Sequence, residues 1–128
     1  MKTIGVILFY FVILLLPQTA LAQSASTTDH TDKGKIITSE IMVSGVCGMC
    51  KKRIEKAALI KGVKFVEWNR TTKKLKVMYT RGKTDEETIA KAVAAAGHDN
   101  ALAKATDETY KKLPDCCLYR DGVSDHEN

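Results

Sequence analysis

Between Lys35 and Ala105 the hydrophobic pattern switches repeatedly between a period of two and a period near 3.6. Only a small layered α+β fold accommodates that alternation in so short a chain. Residues 35–43 alternate, with Ile37, Ser39, Ile41 and Val43 on one face and Ile36, Thr38, Glu40 and Met42 on the other. Ser44-Gly45 ends this first strand. Cys50, Ile54, Ala57 and Ala58 then recur at helical spacing, opposite Lys51, Lys52, Arg53, Glu55 and Lys56. The spacing predicts an amphipathic helix over 48–60, stopped by Lys61-Gly62. Val66 and Trp68 mark a second strand over 63–69, and Leu75, Val77 and Tyr79 a third over 74–79. The short turn between them makes an antiparallel hairpin. Thr84, with Glu87 three residues on, reads as the capping box of a second helix carrying Ile89, Val93 and Ala96 and ending at Gly97. Ala101 to Ala105 is expected to form a fourth strand. The order β-α-β-β-α-β predicts a ferredoxin-like sandwich, with two helices on one face of a four-stranded antiparallel sheet. A short Cys-containing C-terminal tail follows, in which residues 106–113 are expected to add a short helix ended by Pro114. Arg120 to Asn128 is expected to fray.

The N-terminus does not belong to this pattern. Met1-Lys2 precedes an apolar run from Ile4 to Leu16, broken by Pro17 and followed by Ala20-Leu21-Ala22. This layout predicts a secretory signal peptide over 1–22, because the run falls short of the ~20 apolar residues that span a bilayer. Residues 23–34 are small and polar and read as a flexible linker in which His30 is a solvated residue. Residues 35–105 form the expected domain and residues 106–128 its tail. The chain is expected to be exported, to the periplasm, with no membrane span after cleavage. Its net charge of +5, for 20 Lys+Arg against 15 Asp+Glu, falls by one when Lys2 is removed. No interleaving of aromatic and basic residues suggests nucleic acid. The basic surface suits solubility or steering toward an acidic partner.

The four cysteines come as two close pairs, Cys47/Cys50 and Cys116/Cys117. Disulfides are the default in an oxidising compartment, but a bridge across two residues closes a tiny loop and constrains the unfolded chain little. Cys47-Gly48-Met49-Cys50 lies where the first strand hands over to the first helix, and a helix N-terminus lowers a thiol's pKa. Thiolates select Cu(I), zinc or iron–sulfur clusters over hard ions. A closed structural zinc site wants four ligands, so two cysteines alone suit Cu(I) or Hg(II) better. Met49 reads as loop filling.

Gly45-Val46-Cys47-Gly48-Met49-Cys50, with Gly62-Val63 before the second strand and Ala96-Gly97-His98 before the fourth, resembles the heavy-metal-associated domain over roughly residues 35–105. The family includes copper chaperones, modules of copper-transporting ATPases and periplasmic mercury-binding proteins. The resemblance implies that Cys47 and Cys50 bind the metal, with the loop carrying His98 beside them. The family loop reads Gly-Met-x-Cys-x-x-Cys. Here it is one residue shorter, and the Met that plugs the loop onto the core is absent from its place, with Val46 as the candidate substitute. His98 has three open roles: third ligand, hydrogen-bond donor to sulfur, or helix-terminus residue.

Cys116/Cys117 lie outside the family domain and also have three open roles: added ligands at the main site, a vicinal disulfide, or a separate binding point. A fourth strand would start the tail a sheet length of ~20 Å from Cys47. Residues 106–115 span up to about 33–36 Å if extended but only about 15 Å if helical, so return is allowed but not forced. If the tail returns, preference moves toward zinc or a Cu(I) cluster.

The function expected is a non-enzymatic carrier, chaperone or scavenger of a soft metal, Cu(I) first and Hg(II) or Zn(II) next. A metal transporter or efflux protein with an acidic face is its expected partner. A thiol–disulfide redox protein using Cys47/Cys50 is the alternative; the mature chain has only Pro114 to serve as the cis-proline of a thioredoxin-like enzyme. A metal-free interaction domain is a third. Both site cysteines are expected at the surface, so that replacing them spares the fold.

Overall fold

A computed structural model describes residues 34–122. The expected signal peptide and nearly all of the expected linker, including His30, lie outside the described residues, as do residues 123–128. Strand β1 (Ile36–Met42), helix α1 (Gly48–Ala58), strands β2 (Val63–Trp68) and β3 (Lys74–Thr80), helix α2 (Glu86–Ala95) and helix α3 (Asp107–Lys111) follow in order. Two 3-10 turns, Asp115–Cys117 and Tyr119–Asp121, follow in the described part of the tail. No helix among the described residues is long and apolar enough to cross a membrane.

The strands form an antiparallel sheet in the order β1-β3-β2. Ile41 stands opposite Leu75, and Trp68 opposite Leu75 on its other side. The period-two pattern turns Ile41, Val43, Leu75, Val77 and Tyr79 inward, as expected. In β2 a register shift between Val63 and Phe65 lets Val63 share the inner face with Val66 and Trp68 despite the odd spacing. Cys50, Ile54 and Ala58 of α1 and Ile89, Ala90 and Val93 of α2 cover that face in one core. Each large apolar side chain buried there contributes about 1.5–3 kcal/mol.

The expected fourth strand is reduced to one antiparallel bridge, Val43 with Asn100. Asn100 causes the loss. Its Oδ1 accepts from the N–H groups of Leu102 (3.1 Å) and Ala103 (2.8 Å), and its own N–H donates to the Ala103 carbonyl at 2.9 Å. This side-chain turn competes with strand pairing and reverses the chain. The sheet is therefore three-stranded, and the tail begins near the end of β1 that leads to the cysteines, not across the sheet from it.

Helix α2 starts one residue later than expected. Asp85, not Thr84, is the cap, accepting from the Thr88 N–H at 2.7 Å. Thr84 is held in a bridge with Arg81, and Glu87 pairs with Lys91 at 2.7 Å instead of closing a capping box. The helix ends as predicted at Gly97, whose N–H donates to the Ala94 carbonyl while His98 N–H donates to that of Val93. Gly97 has φ +99°, and a Cβ there would stand 2.9 Å from Leu113 Cδ2 and 3.0 Å from the Thr109 carbonyl oxygen. The predicted short helix α3 is present, capped by Thr106, and its Tyr110, with Leu113, packs on the core.

Gly97→Ala is expected to lower stability by about 1–3 kcal/mol, because it adds left-handed strain to a clash with the tail. Urea unfolding measures this, and an unchanged midpoint would show that tail and helix end do not meet.

Candidate metal centre

The loop from β1 to α1 is shaped by Trp68. Its indole is fully buried and donates from Nε1 to the Val43 carbonyl at 3.2 Å. Gly45 passes over the ring so closely that a Cβ would meet Trp68 Cζ2 and Cη2 and Cys50 Cβ at 3.1 Å. Trp68 thus fills the space under the shortened loop at Gly45, and Val46 is partly buried against the core.

Cys47 is the N-cap of α1, its Sγ accepting from the Cys50 N–H at 3.4 Å. Cys50 Sγ accepts from the Val46 N–H at 3.5 Å. Cys47 is half-buried, but Cys50 is 0% exposed, which corrects the expectation that both lie at the surface. The reason is that Cys50 is the first inward position of α1, on the same stripe as Ile54 and Ala58. Replacing it therefore costs stability as well as a sulfur.

The tail returns to these cysteines. Cys47 Sγ lies 3.3 Å from Cys50 Sγ and 3.6 Å from Cys117 Sγ, and all three sulfurs lie within 4.8 Å of one another. Cys117 is buried, while its neighbour Cys116 is exposed at 3.9 Å from Cys47 and 3.9 Å from Cys117. All four are free thiols. Met49 is 49% exposed, with Sδ 3.6 Å from Cys116 Sγ; it faces the tail instead of filling the loop.

The thiols differ in acidity. Burial opposes the Cys47 thiolate, but hydrogen bonds from the Cys50 N–H, the Cys50 and Cys117 thiols and the Met49 N–H outweigh it and lower its pKa. Burial dominates at Cys50 and raises its pKa. Burial, reinforced by the two neighbouring thiols, raises Cys117 far above the ordinary thiol range. Without a cation the inner thiols stay protonated, whereas a bound metal ion favours the thiolate.

Arg120 ties the tail down, contrary to the expected fraying at that residue. Its Nε and Nη2 donate to the two Asp99 carboxylate oxygens at 2.9 and 2.7 Å, Nη1 to Asp107 at 2.9 Å and Nη2 to the Ala105 carbonyl at 2.9 Å. The guanidinium also stands 4.4 Å from the Tyr110 ring centroid. Arg120, as the largest influence, holds the Asp99 carboxyl below its usual pKa. Tyr119 adds a second tie, accepting from the Asp99 N–H at 2.8 Å and donating to the Gly97 carbonyl at 2.9 Å.

His98 is fully buried beside this clasp. Its ring stacks on Tyr119 at 5.6 Å, and Nδ1 donates to the Ser44 carbonyl at 2.9 Å. Burial, opposed by that bond, lowers its pKa and favours the neutral ring. His98 lies outside the three-sulfur cluster, pinning the second loop to the first. Sequence patterning missed Arg120, Asp99 and Tyr119; the only local signal was that an Arg and a Tyr stand in a segment with no hydrophobic period.

A thiol cluster at a strand-to-helix junction on a ferredoxin-like sandwich defines a class of small soft-metal sites. Residues 40–99 match the model of the heavy-metal-associated domain, and that segment is a domain of this family. Oxidized MerP from Ralstonia metallidurans CH34 is 28% identical, with a TM-score of 0.50 over 52% of this chain and 96% of that one. A putative copper-ion-binding protein from Bacillus anthracis shares the fold at 20% identity and a TM-score of 0.50, over 52% and 97% of the two chains. The CopZ metallochaperone is 27% identical over 51% and 100%, with a TM-score of 0.49. A comparison with curated protein sequences gave no match. The family match stops at Asp99, so the clasp partners beyond it and Cys116/Cys117 are additions to the family domain.

Arg120→Ala is expected to cost about 1–3 kcal/mol and to open the tail. Alkylation followed by mass spectrometry reads this out: Cys117 is protected in the unaltered chain and should react as fast as Cys116 in the variant. Acid should act likewise. Because the Asp99 pKa is lowered, the clasp contributes fully above the ordinary carboxylate range and is lost as pH falls through the lowered value. Equal protection of Cys117 in both chains would contradict the clasp.

Proposed function

We propose that the chain is an exported carrier of a soft metal ion, Cu(I) foremost and Hg(II) or Zn(II) next, held by the thiolates of Cys47, Cys50 and Cys117. The observation that carries this is the meeting of three cysteine sulfurs within 4.8 Å at the N-terminus of α1. The heavy-metal-associated domain over residues 40–99 supports soft-metal binding by cysteines. Thiolates exclude hard ions, and three of them fall short of the four in a closed structural zinc site. Cys47 is half-buried at the edge of the cluster, where an incoming thiolate from a partner has access for ligand exchange.

The partner we propose is an acidic-faced metal transporter or efflux protein. Lys52, Arg53 and Lys56 are exposed beside Met49, next to the site, while Lys51 is occupied by Glu55 and the Trp68 carbonyl. Charge complementarity there would steer encounter and set orientation. The leader over residues 1–22, with its apolar run from Ile4 to Leu16, supports export, and the periplasm is the compartment proposed. The role is binding and transfer, without enzymatic turnover.

A thiol–disulfide role is the second proposal, favoured by the lowered pKa of Cys47 and the 3.3 Å approach of Cys50. It predicts catalysed reduction of a protein disulfide by the Cys117→Ser chain. The carrier predicts no such turnover.

Competition with a Cu(I) chelator tests the carrier. The Cys47→Ser/Cys50→Ser chain should lose binding, and Cys117→Ser should weaken it by roughly tenfold or more, on the order of 1.4 kcal/mol. Unchanged affinity in the double variant would refute the assignment.

A further inference from the structure

Cys116 and Met49 are not used by the three-thiolate centre. They sit on its solvent side, contributed by the tail and by the loop between the two family cysteines. We propose that Met49 and Cys116, together with Cys47, form a second, outer Cu(I) site, so that the loaded chain holds two Cu(I) ions joined through the Cys47 thiolate. This rests on the soft-metal reading above and extends it to the number of ions and to the choice among metals.

The geometry gives Cys47 two sets of sulfur neighbours. On the inner side are Cys50 at 3.3 Å and Cys117 at 3.6 Å. On the outer side is Cys116 at 3.9 Å, with the Met49 thioether 3.6 Å beyond it. Cys116 is exposed and is not one of the three sulfurs that all lie within 4.8 Å of one another, so it is poorly placed to complete a four-thiolate cage around one inner ion. It is instead well placed to share an ion with a thioether.

Ligand chemistry identifies that ion. Thioethers suit Cu(I), whereas zinc is held by thiolate, imidazole and carboxylate. A Met paired with a Cys at the rim therefore favours Cu(I) over Zn(II) at the outer position, while the inner thiolates accept either. Each cysteine that binds releases its proton to solvent, and copper enters and stays as Cu(I), so no oxidant or reductant is consumed. Four thiolates around two monovalent ions leave excess negative charge, which Lys52 and Arg53, lining a groove with Met49, offset.

The test is anaerobic loading of the reduced full chain with Cu(I) in the presence of a competing chelator, followed by elemental analysis and X-ray absorption. The unaltered chain should retain two Cu(I) per chain and show a copper–copper scattering path. Cys116→Ser and Met49→Leu, both at exposed positions, should each retain one Cu(I) and lose that path, while Zn(II) should load once in all three chains. One Cu(I) in the unaltered chain, whether with three or four sulfurs, would overturn the outer site and leave the carrier function standing. Retention of no Cu(I), or retention unaffected by Cys47→Ser/Cys50→Ser, would overturn both.

Discussion

The Asp99 carboxylate accepts from Arg120 at Nε and Nη2 and from the Ala105 N–H at 2.9 Å, and the position of the whole tail depends on it. The bidentate pair joins residues on either side of the turn at Asn100 and of helix α3. Both side chains are mostly shielded, at 28% and 15% exposure for Arg120 and Asp99, so solvent screens the pair less than an ordinary surface bridge. The clasp adds to the packing of Tyr110 and Leu113 on the core in aiming Cys117 at the first loop. With it, Cys117 is buried against Cys47, and Tyr119 covers His98.

Three separately placed pieces therefore make the site. Trp68 shapes the first loop from below, through its bond to Val43 and its contact under Gly45. His98 joins the second loop to the first through Ser44. The tail closes the third side. A two-thiolate loop on a family domain becomes a sulfur-lined cleft with buried inner thiols and an exposed rim. The half-buried Cys47 is the most readily ionised of the three clustered thiols; Cys50 and Cys117 are both raised by burial, and Cys117 is raised further by the two neighbouring thiols.

The parts legible in the sequence are those fixed by local period. Alternation in 36–42 and 74–80 and the stripe Cys50, Ile54, Ala58 identify their elements because one face must be buried. The Cys47/Cys50 junction follows from them. The missing fourth strand was not legible, since Ala101–Ala105 is apolar enough for a strand and the outcome turns on one Asn side chain capturing two N–H groups. The depth of Cys50 was readable from its stripe, but its membership of a metal-type motif suggested the surface. Docking of the tail depends on Arg120 meeting Asp99, a pair distant in sequence, and no local pattern encodes such a pairing.

The character of the metal centre turns on whether the tail sulfur is a ligand. X-ray absorption on the reduced protein carrying a single equivalent of Cu(I) measures this directly. Three sulfur ligands, falling to two when Cys117 is replaced by Ser, are the predicted result. Two sulfur ligands in the unaltered chain, with no change on replacing Cys117, would contradict it.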